Sequence, residues 1–298
     1  MSSKLRTYAL PIAMLAGFVA HDFADSIGFL TPYLLFCMLL VSYCKLDVHT
    51  MRLSPMYVWM LLGQVALAWV AYGVLSAWNV VVAQGAFICL FCPTATSAPV
   101  VAAMLGGNLS LLVGYSLLCN VAVAVLSPFF FSLIGVHSEL GFWQSSLIIC
   151  RQVLPLLLFP LLIAIALGRF APRVRNYVRS HQSVSFYLWV IALFIVVGRS
   201  VNFVLQQPST YLVEEVALAL SALLCCVAQF ILGRRIGARY GDRVAGAQGM
   251  GQKNTVLAIW MALTYLHPLA SIAPASYVIW QNIINSSQLA LKERSKMH

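Results

Sequence analysis

Two short stretches set side chains capable of chemistry inside otherwise apolar segments. The first is Cys92-Pro93-Thr94-Ala95-Thr96-Ser97-Ala98-Pro99, which sets two prolines and three hydroxyls inside an otherwise apolar segment. The second is Gly246-Ala247-Gln248-Gly249-Met250-Gly251-Gln252-Lys253-Asn254-Thr255, with three glycines and a run of polar side chains at a similar depth in another apolar segment. Hydroxyls, amides and an ammonium suit the binding of a polar or anionic ligand; they do not make an acid-base pair. Lys253 lies about ten residues into its segment, where a lysine costs roughly 2.5–3.5 kcal/mol even on the lenient insertion scale. Such a charge needs a use or a partner. It can attract an anionic group or exchange a proton; the alternative is a long side chain that snorkels to an interface.

The elements that carry these stretches follow from composition. Of 298 residues, 61% are hydrophobic and 9% are charged, against about 25% charged in soluble domains. Apolar windows of roughly 18 to 25 residues recur along the chain, each long enough to cross a hydrocarbon core of about 30 Å as a helix. We read spans near residues 8–22, 28–44, 55–77, 80–105, 109–135, 146–168, 183–203, 211–233, 243–265 and 270–290, which predicts an all-α membrane protein of about ten transmembrane helices. The first stretch follows Lys4 and Arg6 and reads as a span, because no small-residue cleavage site follows it.

The net charge of +10 would suit nucleic acid only if the charges shared one folded face. They do not. Apart from Arg151, Arg199 and Lys253, all 18 lysines and arginines lie at a terminus or in an even-numbered connection. The odd-numbered connections carry Asp22, Asp25 and Glu139, and Glu214 and Glu215 start the eighth span. The positive-inside rule then places both termini in the cytoplasm, for an integral protein of the inner (plasma) membrane in contact with the lipid bilayer. The eight cysteines, Cys225 and Cys226 included, sit in or beside apolar spans without zinc-site spacing, and read as small core residues with no metal.

Cut near residue 141, into 1–140 and 141–298, the chain holds five spans in each part. An odd number per half forces opposite orientations, an inverted repeat. Each polar stretch falls in the fourth span of its half. Pro99 and the glycines predict local unwinding there, and freed backbone groups must line a cavity or be buried in protein; plain helix kinks are the alternative. Gln64, Gln84, Asn120, Gln229 and Asn282 are single polar residues expected to bond between helices. Arg151 and Arg199 are expected to snorkel outward, and His267-Pro268 reads as an outer turn.

At these residues the chain resembles the bile acid:sodium symporter family, through the Cys-Pro followed by a Thr/Ser-rich break and through Gly251-Gln252-Lys253-Asn254-Thr255-Val256-Leu257-Ala258. The resemblance implies crossed discontinuous helices in spans four and nine. It also implies a panel of spans 1, 2, 6 and 7 that moves against a core of spans 3–5 and 8–10. Family members bind two sodium ions beneath the crossing, but the family's ligand positions fall here on Ala98, Pro99, Leu112, Ser116, Gly249 and Lys253. Only Gln64, Ser116 and Asn254 keep family roles. Hard cations need several oxygen ligands, so two intact sodium sites cannot be assembled. The Lys253 ammonium then stands where a coupling ion would, with proton coupling through it left open and no cofactor expected.

The expected activity is secondary transport of small or amphipathic organic anions, among them sterol-like, pantoate-like or other carboxylates, with no enzymatic step. Thr94, Thr96, Ser97, Asn254 and Thr255 would bind substrate through polar groups and Lys253 through charge. A cation/proton antiporter of related crossed-helix fold is the alternative, although it would need an intramembrane acid that this chain lacks. A membrane enzyme would need paired acids, a HExxH helix or a Ser/His pair, and none is present. A non-transporting sensor is the remaining alternative.

Overall fold

The computed structural model describes residues 12–44, 54–95, 97–135, 142–181, 183–206 and 211–297. In chain order the helices are α1 (12–19), α2 (His21–Ser26), α3 (Thr31–Cys44), α4 (Pro55–Ser76), α5 (Val80–Phe91), α6 (Ala98–Leu105) and α7 (Leu109–Ile134). They continue with α8 (Phe142–Phe170), α9 (Pro172–Ser180), α10 (Ser183–Leu205), α11 (Leu212–Arg239), α12 (Arg243–Gly251), α13 (Thr255–Tyr265) and α14 (Ile272–Met297). Short 3-10 turns at Gly28–Leu30 and Pro268–Ser271 lead into α3 and α14. No strand occurs among the described residues.

Capping residues set several of these boundaries. The Ser54 hydroxyl accepts Met56 N–H at 3.3 Å, with Pro55 opening α4. The Asn79 amide oxygen accepts Val81 and Val82 N–H at 2.9 and 3.1 Å at the start of α5. Asp242 accepts Ala245 N–H at 2.7 Å at the start of α12. Each satisfies N–H groups that a helix start leaves unpaired.

Among the described residues, Pro55–Ser76, Leu109–Ile134, Phe142–Phe170, Phe186–Phe203 and Leu212–Arg239 are long and apolar enough to cross a bilayer. Large apolar side chains line their outer faces, such as Val58, Trp59 and Leu62 on α4 and Phe159, Leu162 and Ile165 on α8. Apolar surface on this scale is a liability in water and the normal solvent-facing surface in lipid. The chain is an all-α membrane protein.

It divides into two compact units. One collects α1–α3, α8–α10, the end of α7 from Ala124 and the end of α13 from Ile259. Within it α10 packs on α2 and α3; Arg199 Nε bonds the Asp25 carboxylate at 3.3 Å, and Asn202 Nδ2 donates to the same carboxylate at 3.2 Å. Arg199 is thus held by an acid. The other unit collects α4–α6, the start of α7, α11, α12, the start of α13 and α14. Its closest helix pair is α11 and α12: a Cβ added at Gly233 would strike the Gly246 carbonyl, and one at Gly246 would strike the Gly233 carbonyl.

The structure departs from the sequence reading in four places. The first span is not one continuous helix, because Ala20 (φ −107°, ψ 39°) separates α1 from α2. Gly246, Gly249 and Gly251 stay helical. They let helices approach closely, the usual use of small residues between membrane helices, and the unwinding falls instead at 252–254. Asn120 and Asn282 donate to carbonyls four residues back on their own helices, Ser116 O at 2.6 Å and Val278 O at 2.8 Å, and so do not bridge helices. The arginine-rich connection after the sixth apolar run forms a helix of its own, α9, that the charge pattern alone did not suggest.

Gly246→Leu is expected to destabilise the protein by at least about 2 kcal/mol through overpacking or to prevent folding. Gly73→Ala, where an added Cβ meets nothing within 4 Å, should match the parent or gain about 0.5–1 kcal/mol. Thermal unfolding of the purified variants in detergent compares the two.

Candidate functional site

The end of α5 lies in the interior, and the last carbonyls of any helix lack intrahelical donors. Here each finds one. Gln229 on α11 donates Nε2 to Cys89 O at 3.0 Å and Leu90 O at 3.3 Å. Gln64 on α4 donates Nε2 to Phe91 O at 2.8 Å and Cys92 O at 3.3 Å. Lys253 Nζ reaches Cys92 O at 2.9 Å, and Asn254 N–H reaches Pro93 O at 2.9 Å. Tyr115 hydroxyl and Cys119 thiol, four apart on α7, donate to Gln64 Oε1 at 3.0 and 3.6 Å. With its oxygen so engaged, Gln64 turns its NH2 toward α5.

The end of α12 is treated in the same way from the other side. Thr94 Oγ1 donates to Gly249 O at 2.7 Å, Ala95 N–H to Gln252 O at 2.9 Å, and Tyr277 hydroxyl on α14 to Gly251 O at 2.8 Å. Gln281, four residues after Tyr277, accepts Lys253 N–H at 2.9 Å. Thr94 and Lys253 therefore form an antiparallel bridge, each in the break of its own interrupted helix. Each break supplies a side chain that caps the other's half-helix.

Lys253 is 1% exposed. Its ammonium has three donors, of which one serves Cys92 O, and among the described residues no carboxylate is paired with it. The negative end of the α5 macrodipole, equivalent to roughly half an elementary charge, faces it instead. On its two chain neighbours Gln252 Oε1 and Asn254 Nδ2 have no partner among the described residues, and the same holds for Gln248 Oε1 on α12 and Gln229 Oε1 on α11. Buried polar atoms are nearly always satisfied, so these atoms are open to a ligand or water. Gln252 Nε2 donates to Ser97 Oγ at 3.0 Å, and Gln248 Nε2 donates to Asn285 Oδ1 at 3.0 Å and Gln288 Oε1 at 3.1 Å.

The residues chosen from the sequence are distributed as follows. Thr94, Lys253, Asn254 and Gln64 meet at the two breaks; Ser97 joins them through Gln252, and buried Thr255 opens α13. Thr96 lies outside the described residues. Ala98 is buried and opens α6 with Pro99 beside it, and neither side chain offers an oxygen. Leu112 and Ser116 are buried on α7. A Cβ added at Gly249 would lie 2.6 Å from Met60 Cε, 2.9 Å from Tyr115 Cδ1 and 3.0 Å from Leu112 Cδ1. That wall is apolar, so a carboxylate at this position would have to displace the Met60 and Leu112 methyls and the Tyr115 ring edge and would meet no polar partner among these three. Tyr115, Cys119, Tyr277 and Gln281 belong to the site although the sequence reading passed over them; spacing of four along α7 and α14 is the signal that places each pair on one helix face.

Elsewhere in the same unit, a recess of about 670 Å³ lies between the α6–α7 and α11–α12 turns and is lined by Asn108, Tyr240, Asp242 and Arg243 among others. Its carboxylate is already engaged: Asp242 accepts Asn108 N–H at 2.6 Å as well as capping α12. No protein-family model matches the chain, and no curated protein matches it significantly.

Gln229→Leu is expected to cost about 1–3 kcal/mol, because it strands two buried carbonyls. Lys253→Met should stay within about 1 kcal/mol of the parent, because removing the buried cation also removes its desolvation penalty. Unfolding midpoints in detergent decide both, and a large loss in Lys253→Met would make the lysine a structural cap.

Proposed function

We propose that this protein is a secondary transporter of small or amphipathic organic anions that works by alternating access. It would do so without bound sodium, on ten spans arranged as a five-plus-five inverted repeat. The observation that carries this reading is the pairing of two interrupted helices, α5/α6 and α12/α13, whose breaks hold a buried ammonium without an acid and two amides with unpartnered atoms. Interrupted helices in corresponding halves are a hallmark of transporter binding sites. The order of an unbroken helix, a broken helix and another unbroken helix recurs as α4, α5/α6, α7 and as α11, α12/α13, α14, which supports the repeat.

The ligand class follows from what is left unpaired. Lys253 retains two N–H groups and Asn254 a donating NH2, which suit a carboxylate; Gln252 Oε1 is an acceptor and suits a hydroxyl or amide N–H on the same ligand. Half-helix starts at Ala98 and Thr255 add partial positive charge. Sodium independence is supported by the loss of oxygen donors at Ala98, Pro99 and Leu112 and by the apolar wall at Gly249. With the ammonium bonded to the Cys92 carbonyl, the positive charge that a coupling ion would supply is already in place, attached to the chain. Proton coupling through Lys253 belongs to the same reading. Orientation with both termini in the cytoplasm of the plasma membrane rests on the distribution of basic residues. A cation/proton antiporter is disfavoured, because such exchange relies on a buried acid and Lys253 has none beside it.

Counterflow of labelled hydroxy- and bile-acid-type carboxylates into proteoliposomes tests the proposal. Uptake is expected in potassium and sodium buffers alike, with at least a tenfold loss in Lys253→Gln that remains monodisperse. A saturating substrate, at a hundredfold excess over Kd, should stabilise the protein by about 2.7 kcal/mol, and replacing potassium by sodium should not. Strong stabilisation by sodium would overturn sodium independence, and absence of counterflow for any anion would overturn transport in favour of a sensor.

A further inference from the structure

The connection between α8 and α10 carries no function in the reading above, yet it is the most unusual surface segment of the described chain. From Leu140 to Val213 there is no aspartate or glutamate, while Arg169, Arg173, Arg175 and Arg179 cluster within eleven residues. Pro172–Ser180 form α9, which packs against α8 and α3 with Arg175 and Val178 less exposed than their neighbours. The Arg175 guanidinium lies over the last turn of α8, within 2.9 Å of where a Cβ on Gly168 would stand.

The rest of α9 is uncovered. Val174 and Tyr177, three residues apart on one face of α9, are 50% and 66% exposed, and Phe170 at the end of α8 is 81% exposed. Arg173 borders that face and Arg179 lies on the opposite side of the helix; both are exposed. A nine-residue helix does not hold together on propensity alone, and in water this apolar stripe would have only the His181 ring, 4.3 Å from that of Tyr177, against it. An apolar face on an arginine-bearing helix, joined at both ends to apolar helices of a membrane protein, fits one environment in particular. That environment is the boundary between acyl chains and head groups. Arginine favours phosphate there, since its planar fork donates two parallel hydrogen bonds to an oxyanion.

We propose that α9 is an interfacial helix that binds anionic phospholipid in the leaflet where α8 ends and α10 begins. Phe170, Val174 and Tyr177 enter the acyl boundary, and Arg173 and Arg179 hold head-group phosphates. This assignment is independent of the transport reading, because it needs only that the chain is embedded in a bilayer.

The test uses the full chain in detergent micelles doped with phosphatidylglycerol or phosphatidylcholine, with retained lipid counted by native mass spectrometry. Each basic residue near a membrane surface contributes about fivefold to anionic-lipid affinity. Arg173→Gln/Arg179→Gln is therefore expected to lower phosphatidylglycerol retention on the order of 20-fold, with phosphatidylcholine retention unchanged. Arg234→Gln/Arg235→Gln, which alters an equally charged segment at the end of α11, should lower retention clearly less. Val174→Ser/Tyr177→Ser should weaken retention of both lipids while leaving the preference for phosphatidylglycerol. Equal phosphatidylglycerol retention by parent and Arg173→Gln/Arg179→Gln overturns the proposal, as does an equal loss in the α11 control. A change in oligomeric state with lipid retention intact would also overturn it, by assigning the face to a second copy of the chain.

Discussion

A helix that stops inside apolar surroundings leaves carbonyls that water cannot reach, and each one left bare costs several kcal/mol. Two helices of this protein, α5 and α12, stop in this way, and the unit around them is organised so that every stranded carbonyl named above has a donor. Gln229 and Gln64 come from flanking helices, Tyr277 comes from α14, and each break caps the other through Thr94 and Lys253. The close approach of α11 to α12 at Gly233 and Gly246 belongs to the same constraint, since it brings the two helices together at backbone distance. Tyr115 and Cys119 enter one step further out by fixing which way the Gln64 amide points. Cys92 O has two donors, Gln64 and Lys253, so the loss of one does not strand it.

The choice of an ammonium as one of these donors has consequences beyond packing. A neutral amide would cap Cys92 O without carrying charge into the interior. Lysine adds a full positive charge beside the negative end of α5, and the helix dipole offsets part of its desolvation. The same solution recurs at the end of the next half-helix, where Lys292 Nζ donates to Met104 O at 3.0 Å as α6 terminates. The difference is burial: Lys292 is only partly covered and its bond is solvent-exposed, whereas Lys253 is enclosed and has unpartnered amides on its chain neighbours. Under the transporter reading, a cation held by a covalent stem cannot leave with substrate, so any ion coupling must come from protons or be absent.

Much of this arrangement was legible from residue types. Apolar runs read at 55–77, 109–135 and 243–265 correspond to helices Pro55–Ser76, Leu109–Ile134 and the pair α12 and α13, because twenty apolar residues in a row leave the backbone few alternatives in lipid. The run at 92–99 marked the first break, although Pro99, the residue expected to unwind the chain, stands in the first turn of α6 and the break falls just before it. The glycines misled: glycine permits unwinding but also permits close packing, and local sequence does not distinguish the two uses. Only the position of α11 against Gly246, and of the Phe230 ring 2.5 Å from where a Cβ on Gly251 would stand, decides for packing.

By itself the sequence determined that the chain is helical and lives in a membrane, where its helices run, and that Lys253 is a costly residue in need of a partner. These are consequences of composition and spacing, which act over one or two helical turns. Tertiary structure alone decided the identity of that partner, the pairing of Thr94 with Lys253 far along the chain, and the recruitment of Tyr115, Cys119, Tyr277 and Gln281. A backbone carbonyl such as that of Cys92 has no signature in the sequence, because every residue carries one. It becomes a site only when the fold strands it at the end of a helix and brings a donor within reach.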